Sequence, residues 1–156
     1  MKSVVLFTLL LSSGLGSYTV QRIPDDRLAE SVPRRLALLL GALFLFGLIT
    51  PSAVALLQGA STPLRIMTSI GLLAPIGLLM GMPFPMGMRA ASRDSRSQEL
   101  TPWLWGMNGA TSVLASVLAI VVAMSFGISA SFWVGFGCYI LAAGGLLWAI
   151  KTRVPG

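Results

Sequence analysis

Five stretches of this chain are apolar for long enough to cross a lipid bilayer, and what separates them is charged, proline-rich or made of small residues. The runs cover about residues 3–20, 36–57, 64–82, 103–126 and 130–150. A membrane helix needs about 20 apolar residues, so each run reads as one span, and roughly fifty residues remain for ends and connectors. A soluble catalytic domain needs at least about 50 contiguous residues and more often 100, so none fits. The runs are continuous and lack the period-two alternation of barrel strands. Every backbone polar group in lipid needs an internal partner, which leaves helices as the spanning form. The expected fold class is therefore all-α: a single integral membrane bundle of about five transmembrane helices over residues 1–156, with no soluble domain.

Composition removes other classes. Hydrophobic residues make up 55% and charged residues 10%, with a mean hydropathy of +0.84, where an ordinary soluble domain carries about 25% charged residues. The single cysteine, Cys138, makes neither an internal disulfide nor a multi-cysteine metal site, and histidine is absent. Zinc chemistry and imidazole catalysis are excluded, and no cofactor is expected. The five acids, Asp25, Asp26, Glu30, Asp94 and Glu99, are read as connector residues. That leaves no carboxylate within a span and no candidate catalytic residue.

The net charge of +6 would point to nucleic acid in a soluble protein, but here the basic residues flank the apolar runs. They read as topology signals, with the bilayer as partner and no nucleic acid. The linker at residues 21–35 holds Arg22, Arg27, Arg34 and Arg35, and the polar connector at residues 83–102 holds Arg89, Arg93 and Arg96. The tail adds Lys151 and Arg153, whereas the opposite side has only Lys2 and Arg65. The positive-inside bias puts the amino terminus outside and the carboxy terminus in the cytoplasm. With an outside amino terminus at the edge of a span, upstream helices are expected, and with them a larger protein of which this chain is a piece. The rival reading takes residues 1–17 as a cleaved signal peptide, with Lys2 as its charged end, and sets the four-arginine linker against the bias of every later loop.

Two clusters are candidate binding or helix-packing sites. In Gly81-Met82-Pro83-Phe84-Pro85-Met86-Gly87, two prolines and two glycines are expected to break the helix. The break is either a rigid turn leading to Arg89 or a non-helical stretch offering backbone groups to a ligand. Pro102-Trp103-Leu104-Trp105-Gly106-Met107-Asn108 opens the fourth span, with Trp103 and Trp105 at the interface. Asn108, one to two turns inside, is expected to hydrogen-bond another helix or contact a substrate. On the same helix Thr111, Ala115, Ala119 and Ala123, with Ser112 and Ser116 beside them, form a small-residue stripe suited to close packing. Gly77 and Gly81 make one GxxxG, Ser12 to Ser17 is a run of small residues, and Pro75 is expected to kink the third span.

Three stretches, Leu6-Phe7-Thr8-Leu9-Leu10-Leu11-Ser12-Ser13-Gly14-Leu15-Gly16-Ser17, Gly81 to Arg89, and Pro102 to Leu114, occur in the same order in a known group. Through them the chain resembles the carboxy-terminal membrane region of the large bacterial spermidine synthase-like proteins. In that family, multispan helices are fused to an aminopropyltransferase-like domain. The resemblance implies a bacterial cytoplasmic membrane location and a partner: upstream helices or the synthase-like domain, in the same or a neighbouring chain. It brings no enzyme, because the glycine-rich strand-to-helix turn of a nucleotide-binding domain is absent. The implied role is a non-catalytic anchoring or assembly module. The alternative is half of a passage for polyamines or related small cations, bordered by Pro83, Phe84, Pro85, Trp105 and Asn108.

Overall fold

The computed structural model describes residues 2–91 and 101–153, and all of its regular structure is helical. The helices are α1 (Lys2–Gln21), α2 (Asp25–Leu56), α3 (Thr62–Met80), α4 (Pro83–Ala91), α5 (Thr101–Phe126) and α6 (Ile128–Arg153). Five segments are long and apolar enough to cross a membrane: Ser3–Gln21, Glu30–Leu56, Thr62–Ala90, Thr101–Phe126 and Ile128–Thr152. The chain divides into two compact units, Met1–Met86 and Gly87–Gly156.

The second helix begins about three turns earlier than hydropathy suggests. Residues 21–35 are helical for most of their length: the chain breaks at Arg22 to Pro24, and Asp25, Asp26 and Glu30 lie on α2. Charge expels a segment from hydrocarbon but does not oppose helix. Arg, Glu, Leu and Ala, which fill this stretch, are among the better helix formers. Along α2 the buried positions are Leu28, Val32, Leu36, Leu39 and Leu43, spaced by three or four so that they share one stripe. The helix continues through Pro33 and Pro51, and α3 likewise runs through Pro75 to Met80. Gly47 and Gly71 stand four residues before Pro51 and Pro75, where a proline ring presses on the preceding turn.

The expected break in the proline-rich segment is present but short. Only Gly81 and Met82 are non-helical, and Pro83, Phe84 and Pro85 form the first turn of α4. The first N–H groups of any helix lack an intrahelical acceptor, so proline loses nothing there and its fixed φ suits the helix. Met86 N–H donates to the Met82 carbonyl (3.1 Å), closing that first turn. Of the polar connector at residues 83–102, Pro83–Ala91 is helical, Thr101 and Pro102 belong to α5, and residues 92–100, with Arg93, Asp94, Arg96 and Glu99, lie outside the described residues.

In the second unit, α5 and α6 form a hairpin jointed by one residue. Gly127 has φ +92°, a backbone region that side chains other than hydrogen disfavour. Its N–H donates to the Ala123 carbonyl (3.0 Å), and its own carbonyl accepts from Ser131 N–H (3.2 Å). Helix α6 thus starts at Ile128, two residues before the expected 130. The Ser131 hydroxyl donates to the Ala119 carbonyl (3.1 Å), tying the two helices beside the joint.

Candidate functional site

The tightest feature of the first unit is a seam between α1 and α3, where the two small-residue motifs meet. A methyl group placed on Gly16 would overlap the Leu78 backbone carbonyl, and one on Gly81 would overlap the Ser13 carbonyl. A methyl on Gly77 would strike the Ser12 side chain. Glycine is required at Gly16 and Gly81 because the backbone of the facing helix occupies the space a side chain would take, whereas at Gly77 the obstacle is a single side-chain hydroxyl. The polar members of the seam satisfy themselves. Ser12, which is buried, donates to the Thr8 carbonyl (2.6 Å), and Thr19 donates to the Gly16 carbonyl (2.6 Å). Such back-bonding leaves small side chains with no hydrogen-bonding demand.

Beside the seam lies an open groove of about 460 Å³ lined by Phe7, Thr8, Leu11 and Ser12 of α1 and by Ile70 and Ala74 of α3. Its surface is almost wholly apolar and contains none of the residues nominated from sequence.

At one end of the first unit, α2 meets the turn between α3 and α4. Arg35 is half-buried, and its Nη1 donates to the Met82 thioether sulfur at 3.2 Å. Arg22 is also engaged: its Nη2 donates to the Tyr18 hydroxyl (3.0 Å) while the guanidinium lies 4.8 Å from the centre of the same ring. Arg27 and Arg34 are exposed. None of Arg22, Arg27, Arg34 and Arg35 makes an ion pair among the described residues.

The nominated residues fall in different units. Pro83, Phe84 and Pro85 are half-buried in the first, and Arg89 stands in the last turn of α4, where a cation meets the negative end of the helix dipole. Trp103, Trp105, Asn108 and Ser112 are exposed along α5. Asn108 has no interhelical side-chain partner among the described residues. Its backbone carbonyl accepts from the hydroxyls of Thr111 (3.2 Å) and Ser112 (2.6 Å). The stripe on α5 from Thr111 to Ala119 is likewise exposed, and only Ala123, next to the joint, is partly covered. Among the described residues no group of three or more His, Cys, Asp or Glu side chains is placed to hold a metal.

Sequence reasoning missed the Arg35–Met82 contact, although a signal was present. Arg35 is seven residues after buried Leu28, on nearly the same bearing of the helix, and is the last charge before the apolar run of α2.

The geometry defines a class: among the described residues the regular structure is all helical, with five helices long and apolar enough to cross a membrane. Compared with models of known families, with curated proteins and with solved structures, the chain matches none.

Proposed function

We propose that this chain is a multi-pass module of the bacterial cytoplasmic membrane that anchors or assembles with a spermidine synthase-like domain and performs no chemistry itself. The observation that carries the membrane reading is the direction of its large apolar side chains. Every long helix turns some of them outward: Phe7 is 67% exposed, Leu56 83%, Met67 67%, Val113 68% and Leu141 78%. A chain in water hides such surface or associates through it. In hydrocarbon it costs nothing, and helices then hold together by close packing of small residues, as along the seam of Gly16, Gly77 and Gly81. The assembly role draws support from α5, whose 26 residues include none that is buried. Its exposed Asn108 amide calls for a hydrogen-bond partner in lipid. The link to spermidine synthase-like proteins rests on the three sequence stretches that carry the resemblance.

The test is co-expression of the full chain with the protein encoded immediately upstream, followed by purification from membranes and reconstitution into liposomes. Co-purification of a synthase-like partner, with no uptake of labelled polyamine, is the expected result. A monodisperse chain that ignores that partner and moves polyamine would replace the anchor with a passage for small cations.

A further inference from the structure

We infer that Arg35, at the turn joining α3 to α4, binds the phosphate of an anionic lipid headgroup. The inference rests on the membrane reading above, and three observations support it. The first is depth. At about 1.5 Å per residue, the 32 residues of α2 measure about 48 Å, about 18 Å more than a hydrocarbon core roughly 30 Å thick. The charged segment from Asp25 to Arg35 accounts for about 16 Å of that excess. With the apolar run from Leu36 onward in hydrocarbon, Arg35 stands at the boundary where lipid phosphates lie.

The second observation is the state of the guanidinium. It is half-buried and donates to a thioether, a weak acceptor, and makes no ion pair among the described residues. A guanidinium carries five N–H donors in a planar fork that matches phosphate oxygens in pairs, so most of its donor capacity remains for an anion. The third is restraint. Met82 is 6% exposed and its sulfur accepts from Nη1, so one edge of the fork rests against the turn. Arg27 and Arg34 extend as ordinary exposed cations and supply a diffuse attraction without a fixed geometry.

The measurement is native mass spectrometry of the full chain released from nanodiscs of phosphatidylcholine alone or mixed with phosphatidylglycerol, after co-flotation has shown the chain to be in the bilayer. A chain that fails to float overturns the membrane reading. A chain that floats but retains no phosphatidylglycerol overturns only this site. Wild type is expected to retain one phosphatidylglycerol in preference to phosphatidylcholine. Arg27→Gln leaves that count unchanged and weakens retention at most about fivefold, the worth of one surface arginine near an anionic leaflet. Arg35→Gln removes the bound lipid, weakening retention tenfold or more. Arg35→Lys keeps the charge and the fold but loses the fork, and gives an intermediate loss. Met82→Leu keeps the packing volume and lowers selectivity with every arginine present. Equal effects of Arg27→Gln and Arg35→Gln, or full retention in Arg35→Lys, would reduce the site to nonspecific attraction and overturn the inference. Inorganic phosphate is added as a competitor. Displacement of the lipid at matched concentration would assign the site to free phosphate and overturn the lipid assignment.

Discussion

The seam between α1 and α3 yields a prediction in which four glycines of similar sequence setting respond differently to one added methyl group. Gly→Ala in an open helix position favours the helix by about 0.5–1 kcal/mol, because glycine loses more backbone freedom on ordering. Gly14 is such a position, with nothing within 4 Å of the added carbon, so Gly14→Ala leaves the protein unchanged or slightly more stable. At Gly16 and Gly81 the same methyl meets a backbone carbonyl of the facing helix, which no rotamer change can move. The helices must separate along the seam. Overpacking of this kind costs about 1–3 kcal/mol, and in lipid the separation undoes the close packing that holds the pair together. Gly16→Ala and Gly81→Ala are therefore destabilising by about 1–3 kcal/mol, or roughly 2–10 °C in Tm for a chain of this size.

Gly77 adds an internal check. Its methyl would meet the Ser12 hydroxyl, with the Ser12 Cβ behind it at 3.3 Å. Removing the oxygen through Ser12→Ala should recover most of the loss in Gly77→Ala, a coupling of about 1 kcal/mol in a double-mutant cycle. Far-ultraviolet circular dichroism during denaturing-detergent titration and heating measures these changes. Tryptophan fluorescence follows the other unit, because Trp103, Trp105, Trp133 and Trp148 all lie beyond Met86. If Gly16→Ala and Gly81→Ala match Gly14→Ala, the close approach of α1 and α3 is refuted.

Three shorter predictions follow from other joints. Gly127→Ala lowers stability by about 1–2 kcal/mol because its φ of +92° is costly for any side chain, and Gly127→Asn costs less; thermal unfolding followed by tryptophan fluorescence ranks the two. Pro83→Ala changes Tm little, since Pro83 begins a helix, whereas Leu73→Pro within α3 removes an internal hydrogen bond and costs about 3 kcal/mol or more; a parallel detergent titration compares them. Ser131→Ala loses the hydroxyl bond to the Ala119 carbonyl and destabilises the α5–α6 hairpin by about 0.5–1.5 kcal/mol, measured by the midpoint of tryptophan fluorescence loss on heating.

Hydropathy alone locates all five apolar helices, because the run length needed to cross hydrocarbon is a property of local composition. It misjudges their ends where polarity and backbone preference diverge. The stretch from Asp25 to Arg35 is too charged for hydrocarbon and yet helical, and Pro83 and Pro85 punctuate α3 by starting α4. The small residues of α1 and the pair Gly77 and Gly81 are each visible as packing surfaces. That they pack on one another depends on which helices become neighbours, which no local pattern encodes. Arg35 reads like the other linker arginines because their chemistry is identical. Only the approach of Met82, 47 residues later in the chain, sets it apart.

On the proposed membrane reading, the one-residue joint at Gly127 also bears on how the last two helices would hold their depth. Residues 101–150, which include all of α5, the joint and nearly all of α6, contain no Lys, Arg, Asp or Glu. The tip carries Met124, Phe126 and Ile128, each about four-fifths exposed. A tip without charge crosses hydrocarbon at little cost in either direction, because the penalty of about 2.5–3.5 kcal/mol per central charge never arises. On the proposed membrane reading the hairpin resembles a nail with a head at one end only: Lys151 and Arg153 would keep its open end from being drawn through, and the tip has no charged residue to stop it from sinking. A lysine pair introduced at the tip would supply the second head, so its vertical position is a property that a few residues at one turn can reset.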